Sequence, residues 1–307
     1  MKLIYMGTPD FAVPALERLI EDGHEIALVV TQPDKPVGRK QILTPPAVKV
    51  CAAAHDLPVY QPASMKTDEC YETLAAIGAD AIIVVAYGKI LPKRILELTP
   101  YGCINVHGSL LPRYRGAAPV QWAVLNGDAE SGVTTMKLDE GVDTGDILLM
   151  SRRPITESMT GGELFEFLAA DGADLLSRTL DGLISGEITP TPQPAEGACY
   201  ASMLDKSMCP VRWEKDAQTL HNQVRGLNPW PVATCRSEDM TMKLFRTTVG
   251  GATSAPAGTV VAISPLTVAC GDGKTLIIEE LQAEGSRRMA AADYLRGHPI
   301  MIGTVLG

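Results

Sequence analysis

Two polar side chains capable of chemistry lie in the short apolar run Cys103-Ile104-Asn105-Val106-His107. Successive side chains of a β-strand alternate between faces, so Asn105 and His107 project from one face at the carboxyl end of this strand. In open α/β sheets, ligands bind in the crevice beyond that end. Gly108 and Pro112 then predict a loop whose backbone can approach a ligand closely. The pattern indicates either a catalytic amide and imidazole or a hydrogen-bonded structural pair.

A second candidate site is the acidic run Asp139-Glu140-Gly141-Val142-Asp143-Thr144-Gly145-Asp146, with four carboxylates and two glycines in eight residues. By composition it could be a solvated turn or a cation-binding loop. It lacks the twelve-residue spacing and the terminal Glu of an EF-hand, so we expect no calcium there.

Residues 32–46 form a third unusual stretch, with four prolines, one glycine and three cations, Lys35, Arg39 and Lys40. This composition predicts irregular structure. The stretch is longer than a connection needs, and long loops in compact domains are usually functional or disordered. The residues alone leave open a plain loop or a binding surface.

The run Asn-Val-His-Gly-Ser-Leu-Leu-Pro-Arg-Tyr-Arg-Gly, residues 105–116, closely resembles the signature of the formyltransferases that use 10-formyltetrahydrofolate. The resemblance continues, in family order, through the amino-terminal Gly-Thr-Pro-Asp-Phe, the basic loop 32–46, Asp-Thr-Gly-Asp and Asn-Pro-Trp-Pro. Those enzymes share a catalytic Asn, His and Asp. The resemblance therefore implies catalytic roles for Asn105, His107 and Asp143, without a metal or a covalent enzyme intermediate.

The same resemblance implies the binding residues. In the members that formylate methionyl-tRNA, a loop like 32–46 grips the acceptor stem, so the implied partner is initiator methionyl-tRNA and the implied donor 10-formyltetrahydrofolate. The implied folate-binding residues are Tyr87, Gly88, Ser109, Leu110, Leu111 and Pro112. The implied tRNA-binding residues are Lys35, Arg39, Lys40, Arg287 and Arg288.

Three other functions share parts of this pattern. A relative could formylate a small amine, such as an amino sugar or a purine precursor, or hydrolyse the folate to release formate. A chain of another class would bind RNA through a degenerate enzyme domain. The intact basic loop argues against the first two, and the presence of Asn105, His107 and Asp143 argues against the third.

Apolar runs at 2–6, 25–31 and 81–86 alternate with helical periodicity, which predicts an α/β fold with a doubly wound, mostly parallel, Rossmann-like sheet. The spacing Gly7-x-Pro9 breaks the G-x-G-x-x-G pattern, so no dinucleotide is expected. The family pattern predicts a catalytic domain over 1–206, which includes a Pro-rich connector at 189–206. Short β-rich runs at 242–246, 258–263, 266–269 and 275–281 predict an OB-like β-barrel over 207–307 that contacts tRNA.

Composition sets broad limits. The net charge of −9 argues against nucleic-acid binding, but residues 207–307 hold 10 Lys+Arg against 9 Asp+Glu, and residues 1–206 hold 17 against 27. Seven cysteines without a C-x-x-C pair indicate reduced thiols and no zinc site. With no visible export signal and no apolar run long enough to span a bilayer, we expect a cytoplasmic protein, and we expect it to be a monomer.

Overall fold

The computed structural model describes residues 1–38, 40–237 and 240–307 and divides into two compact units. The first unit comprises Met1–Gly116, Ser131–Arg153 and Phe165–Ala201. The second comprises Ala117–Glu130, Pro154–Leu164 and Ser202–Gly307.

The strands are β1 (Lys2–Gly7), β2 (Glu25–Val30), β3 (Lys35–Val37), β4 (Ile42–Thr44), β5 (Val59–Tyr60), β6 (Ala81–Val85), β7 (Cys103–His107), β8 (Arg115–Gly116), β9 (Glu130–Lys137), β10 (Ile147–Pro154), β11 (Tyr200–Ala201), β12 (Ala233–Ser237), β13 (Met240–Ala252), β14 (Val260–Ile263), β15 (Leu266–Ala269), β16 (Lys274–Ala283) and β17 (Met289–Ala290). The α-helices are α1 (Val13–Glu21), α2 (Ala47–Ala54), α3 (Asp68–Ala75), α4 (Lys93–Leu96), α5 (Pro119–Leu125), α6 (Gly161–Ser185), α7 (Ala217–Gly226) and α8 (Ala291–Gly297).

The main sheet of the first unit has seven strands in the order β10-β9-β7-β6-β1-β2-β5. The pairs β1–β2, β1–β6, β6–β7 and β2–β5 are parallel, whereas β7 and β9 are antiparallel. From β1 the chain adds β2 and β5 on one side, then returns to add β6 and β7 on the other. This reversal is the strand order of a doubly wound sheet, and it confirms the predicted α/β fold.

Strands β6 and β7 form the centre of this unit, and all ten of their residues are buried. The continuous apolar run of β6 is typical of a parallel strand covered on both faces. Around it, Ile4, Ile82, Cys103 and Leu74 belong to one cluster of buried side chains. The end of β7 is therefore held in position by a packed core.

The prediction of irregular structure across 32–46 is wrong in part. Strands β3 and β4 form a small antiparallel hairpin in which Pro36 faces Leu43. Each strand of a two-stranded hairpin has a free outer edge, and a proline is tolerated on an edge because its missing N–H is not needed there. Arg39 lies outside the described residues.

Strand β10 was not predicted. Its sequence, Ile-Leu-Leu-Met-Ser-Arg-Arg-Pro, lacks a regular alternation of apolar and polar residues, so the period-two signal is weak. It nevertheless lies at the edge of the main sheet beside β9. In the described ranges, no helix has the length and apolar character that crossing a membrane would require.

The sheet of the second unit runs in the order β12-β13-β16-β15-β14, with β17 also paired to β16. The carboxyl-terminal residues connect its two edges. On one side Arg236 and Gly307 exchange backbone hydrogen bonds, at 2.6 and 2.9 Å; on the other, the amide of Val260 donates to the carbonyl of Thr304 at 2.8 Å. The tail thus closes the antiparallel sheet, in line with the predicted small barrel.

Candidate active site

The predicted pair of polar residues lies at the end of β7, inside the sheet. Asn105 and His107 are 8% and 6% exposed. Strand β6 pairs with one edge of β7, and β9 pairs with the other, where Thr134 faces His107. Since the strand is paired on both sides, the backbone under both side chains is fixed.

The ring of His107 lies between two acceptor groups. Its Nε2 is 2.8 Å from the carbonyl oxygen of Tyr114, and because a carbonyl only accepts, Nε2 carries a hydrogen. Its Nδ1 is 3.7 Å from Oδ2 of Asp143, which is longer than a hydrogen bond. The nitrogen that faces Asp143 is thus the one left to exchange a proton.

The side-chain amide of Asn105 makes no hydrogen bond to the described parts of the chain. A nearly buried amide usually has such a partner. Asn105 therefore retains donors for a ligand, which favours the catalytic interpretation of the pair over the structural one.

Asp143 lies in a loop with a demanding backbone. Its φ is 53°, in the left-handed region that non-glycine residues rarely adopt, and its Oδ2 accepts a hydrogen bond of 2.8 Å from the amide of Gly116. A Cβ on Gly145 would lie 1.8 Å from the carbonyl oxygen of Lys137, so only glycine fits there. The structure brings Asp143 to His107.

The loop after β7 is held together by its own polar groups. The hydroxyl of Thr134 donates to the carbonyl of Ser109 at 2.7 Å and accepts from the amide of Leu111 at 3.1 Å. The hydroxyl of Ser109 donates to the carbonyl of Arg113 at 2.7 Å. Ser109 and Leu111 are buried, 0% and 3% exposed, so these bonds fix the shape of the loop. The other two predicted folate residues here, Leu110 and Pro112, are half-buried.

The predicted folate residues Tyr87 and Gly88 follow β6, at the same end of the sheet as His107. Tyr87 is buried, which raises the pKa of its phenol well above the usual value, and its hydroxyl contacts Sδ of Met65 at 3.0 Å. Its carbonyl accepts hydrogen bonds from the side chains of Thr8, at 3.0 Å, and Gln32, at 2.9 Å. These contacts join the ends of β1, β2 and β6, and the direction of winding reverses between β1 and β6.

The predicted tRNA-binding cations are at the surface where the structure describes them. Lys35 and Lys40 are exposed on the hairpin, and the ammonium of Lys35 donates to Oε1 of Gln32 at 2.7 Å. In the second unit Arg287 is exposed. Arg288 pairs with Glu280, Nε to Oε2 at 3.0 Å, and stacks on Phe245, so its charge is partly neutralised.

Sequence reasoning missed several residues that hold the site together. These are Gln32, Tyr114, Thr134 and Gln193. Tyr114 acts through its backbone carbonyl, and the other three act through side-chain hydrogen bonds to distant segments. The only local signal was the isolated Gln193 in a run of prolines. Within the described ranges one group of three possible metal ligands is found, Glu17, Cys51 and His55 on or next to α1 and α2, and it includes no signature residue.

Comparison with known proteins agrees with this fold. Residues 1–180 match the family described as Formyl transferase, and residues 203–299 match Formyl transferase, C-terminal domain. Together with the doubly wound sheet, these two matches define the class as an α/β group-transfer enzyme. The chain belongs to the formyl transferase family.

Relatives that match nearly the full length of this chain share a more specific name. The methionyl-tRNA formyltransferase of Trichlorobacter lovleyi is 47% identical over 99% of this chain and 96% of its own. That of Clostridium novyi is 47% identical over 100% of both chains.

Solved structures share the fold. An N-formyltransferase from Helicobacter canadensis, in complex with folinic acid and dTDP-3-aminofucose, has a TM-score of 0.68 and 20% identity over 91% of this chain and 98% of its own. HypX from Aquifex aeolicus, in complex with tetrahydrofolic acid, has a TM-score of 0.64 and 16% identity over 96% of this chain and 47% of its own.

Proposed function

We propose that this chain transfers the formyl group of 10-formyltetrahydrofolate to the α-amino group of methionine on initiator methionyl-tRNA. The observation that carries the proposal is the full-length identity of 46–47% to several methionyl-tRNA formyltransferases. It is supported by the position of Asn105, His107 and Asp143 at one end of β7.

The reaction is an acyl transfer. The neutral amine attacks the formyl carbon, a new C–N bond forms, and the carbonyl oxygen becomes an oxyanion. The bond from that carbon to N10 of the folate then breaks, and a proton passes from the attacking nitrogen to N10. An α-amino group with a pKa of roughly 8 supplies enough neutral amine at physiological pH.

Asn105 is assigned to the oxyanion. Its amide has donors that no described protein group uses, and it projects from the end of a rigid strand. A donor held in place before the reaction stabilises developing charge without reorganisation, and loss of one such donor typically lowers kcat by ~10² to 10³.

His107 and Asp143 are assigned to proton transfer. Because Nε2 already donates to the carbonyl of Tyr114, proton exchange, and any donation to the oxyanion, takes place at Nδ1. When Nδ1 holds a proton, the carboxylate 3.7 Å away stabilises the charged ring. General acid-base catalysis of this kind contributes ~10² to 10⁴.

The binding surfaces are assigned from the position and the charge of their residues. The loop after β7 and the Tyr87–Gly88 segment flank the catalytic pair and are proposed to hold the folate. Lys35, Arg39 and Lys40 are proposed to contact the acceptor stem, and Arg287 and Arg288 the tRNA backbone. Exposed cations near phosphates give affinity without reading sequence, which suits this role.

The test is formyl transfer from 10-formyltetrahydrofolate to initiator methionyl-tRNA, with elongator methionyl-tRNA and free small amines as parallel acceptors. We expect turnover of the initiator and little of the others. Turnover of an amino sugar, or formate release without a formylated tRNA, would replace the proposal with one of the alternative functions. Asp143→Asn serves as the low-activity control in every arm.

Three expectations accompany the proposed function. We propose that the catalytic domain extends to residue 206 and the tRNA-contacting barrel covers 207–307. We also propose that the protein works in the cytoplasm and that it acts as a monomer.

A further inference from the structure

The Pro-rich segment 189–194 runs beside the loop that carries Asp143. Thr191 and Ile147, the first residue of β10, exchange backbone hydrogen bonds of 2.8 and 2.9 Å. The bridge is antiparallel and lies immediately after the acidic loop 139–146. It brings the side chain of Gln193, two residues further on, to that loop.

The amide of Gln193 uses its full hydrogen-bonding capacity. Its Nε2 donates to the carbonyl oxygens of Asp143, at 2.9 Å, and Gly145, at 2.8 Å. Its Oε1 accepts from Nε and Nη2 of Arg115, at 3.1 and 2.7 Å. Two donors and two lone pairs are all that a primary amide offers. The side chain is half-buried, and its hydrogen-bonding positions are taken by protein groups.

These bonds complete a ring around Asp143. The carboxylate is held by the amide of Gly116, the residue after Arg115, and the carbonyl is held by Gln193, which Arg115 holds in turn. Gly116 is itself fixed in strand β8 by its parallel pairing with Ala201 of β11. Asp143 is thus held through both its side chain and its backbone.

Such a ring is needed because the backbone of Asp143 is unfavourable. A non-glycine residue at a φ of 53° persists only where its surroundings determine the conformation from several sides. If the loop relaxed, Oδ2 would move relative to Nδ1 of His107. A displacement of about 1 Å in a catalytic group can lower a rate about a hundredfold.

We propose that Gln193 is a positioning residue for formyl transfer, which fixes the carboxylate of Asp143 beside His107. The inference rests on the proposed function, since it concerns the rate of that reaction. Gln193 does not touch the reacting atoms.

The experiment compares Gln193→Met and Gln193→Glu with the wild-type full-length chain. Met removes the amide and keeps a similar shape. Glu keeps acceptors for Arg115 but places oxygen against the carbonyls of Asp143 and Gly145. We expect kcat to fall about 10- to 100-fold in both variants, with KM for methionyl-tRNA within about twofold of wild type.

Gln223→Met is the matched control. The half-buried amide of Gln223 also donates to backbone carbonyls, those of Met208 at 2.8 Å and Pro210 at 3.1 Å, in the second unit. Its loss should lower the melting temperature as Gln193→Met does and leave kcat unchanged. Equal kcat losses in the two variants would show a general effect of stability and overturn the inference.

A double-mutant cycle with Asp143→Asn separates positioning from mere folding. If Gln193 acts through Asp143, Gln193→Met should lower kcat by less than about twofold in the Asp143→Asn background. If the losses of the two single variants add up in the double variant, the inference is wrong although the proposed function still stands. The same holds if Gln193→Met is fully active while Asp143→Asn is impaired. A wild-type chain that does not formylate methionyl-tRNA would overturn the proposed function and the inference with it.

Discussion

Strand β7 and the β3–β4 hairpin belong to the same unit and carry the two halves of the proposed activity, yet they are built in opposite ways. All five residues of β7 are buried, and the strand is paired on both sides. All six strand residues of the hairpin are exposed, and in the described ranges β3 and β4 pair only with each other.

The difference reflects what each region has to do. A transition state demands fixed donors, and a buried, doubly paired strand supplies them. A hairpin of two short strands is marginally stable by itself, so it relies on its base for support. Its exposed apolar side chains, Val37, Ile42 and Leu43, are 55–64% exposed and remain available for a partner.

Substitution of the buried site should give the largest effect. His107→Asn and Asp143→Asn remove proton transfer, and we expect each to lower kcat by ~10² to 10⁴. KM for methionyl-tRNA should stay within about threefold, because the hairpin is untouched. Single-turnover formylation measures the chemical step directly. A His107→Asn variant with the wild-type rate would remove our central assignment.

Substitution of the cations in segment 32–46 should act on binding. Arg39→Ala or Lys40→Ala removes one charged contact of ~1.5 kcal/mol, so KM for methionyl-tRNA should rise about tenfold with kcat nearly unchanged. The dependence of kcat/KM on salt should also become less steep. Lys66→Ala, an exposed cation outside the hairpin, is the control. A fall in kcat as large as the rise in KM would contradict the assignment of chemistry to β7 and of tRNA binding to segment 32–46.

The base of the hairpin should matter less than its cations. The ammonium of Lys49 donates to both carboxylate oxygens of Asp34, at 2.8 and 2.9 Å, and to Oε1 of Gln61, at 2.9 Å. The hydrogen bonds from Lys49 and Gln61 lower the pKa of Asp34 below its usual value, so this anchor is complete at neutral pH and is lost only in acid.

We expect Lys49→Met to raise KM for methionyl-tRNA only about two- to threefold, because a solvent-exposed ion pair is weakened by water and salt. Limited proteolysis within 32–46 should also become faster. Lys93→Met is the control, since Lys93 pairs with Glu97 and Glu140 at an exposed site away from the hairpin. Equal KM changes in the two variants would show that the anchor has no special role.

The smallest effect should appear in the pH dependence of stability. Burial raises the pKa of the Cys103 thiol on β7 to about 12. An unfolded thiol ionises near pH 8.5, so between that pH and about 12 the unfolded chain releases a proton that the folded chain retains. Stability is therefore complete at neutral pH and falls as the pH rises through this window.

Thermal unfolding at pH 8 and pH 10.5 measures this decline. Other groups whose pKa is raised by burial, such as Cys235 and Cys270, contribute in the same window. Cys103→Ala should consequently show a shallower decline than wild type, and Lys40→Ala on the hairpin an unchanged one. A decline in Cys103→Ala as steep as in wild type would show that the thiol is not buried in the way described.

Local sequence patterns predicted much of the fold and of the candidate site. The apolar runs predicted β1, β2, β6 and β7, and the alternation in β7 placed Asn105 and His107 on one face, because side-chain direction in a strand follows from the backbone geometry alone. The family resemblance added Asp143. The β3–β4 hairpin was missed because the prolines and the glycine of segment 32–46 indicate irregular structure more strongly than two three-residue strands indicate a sheet. Strand β10 was missed because its apolar and polar residues do not alternate regularly.

The tertiary structure decided how those residues are held. The hydroxyl of Thr134 and the amide of Gln193 act on groups distant in the sequence; Gln193 reaches residues 50 and 78 positions away. The carbonyl of Tyr114 is only seven residues from His107, but the loop between them must fold back to bring the two together. A hydrogen bond between distant segments depends on where the whole sheet brings them, and no local period records it. The sequence therefore predicted which groups are assigned to the chemistry, whereas the folded chain decided which nitrogen of His107 faces Asp143 and what holds Asp143 beside it.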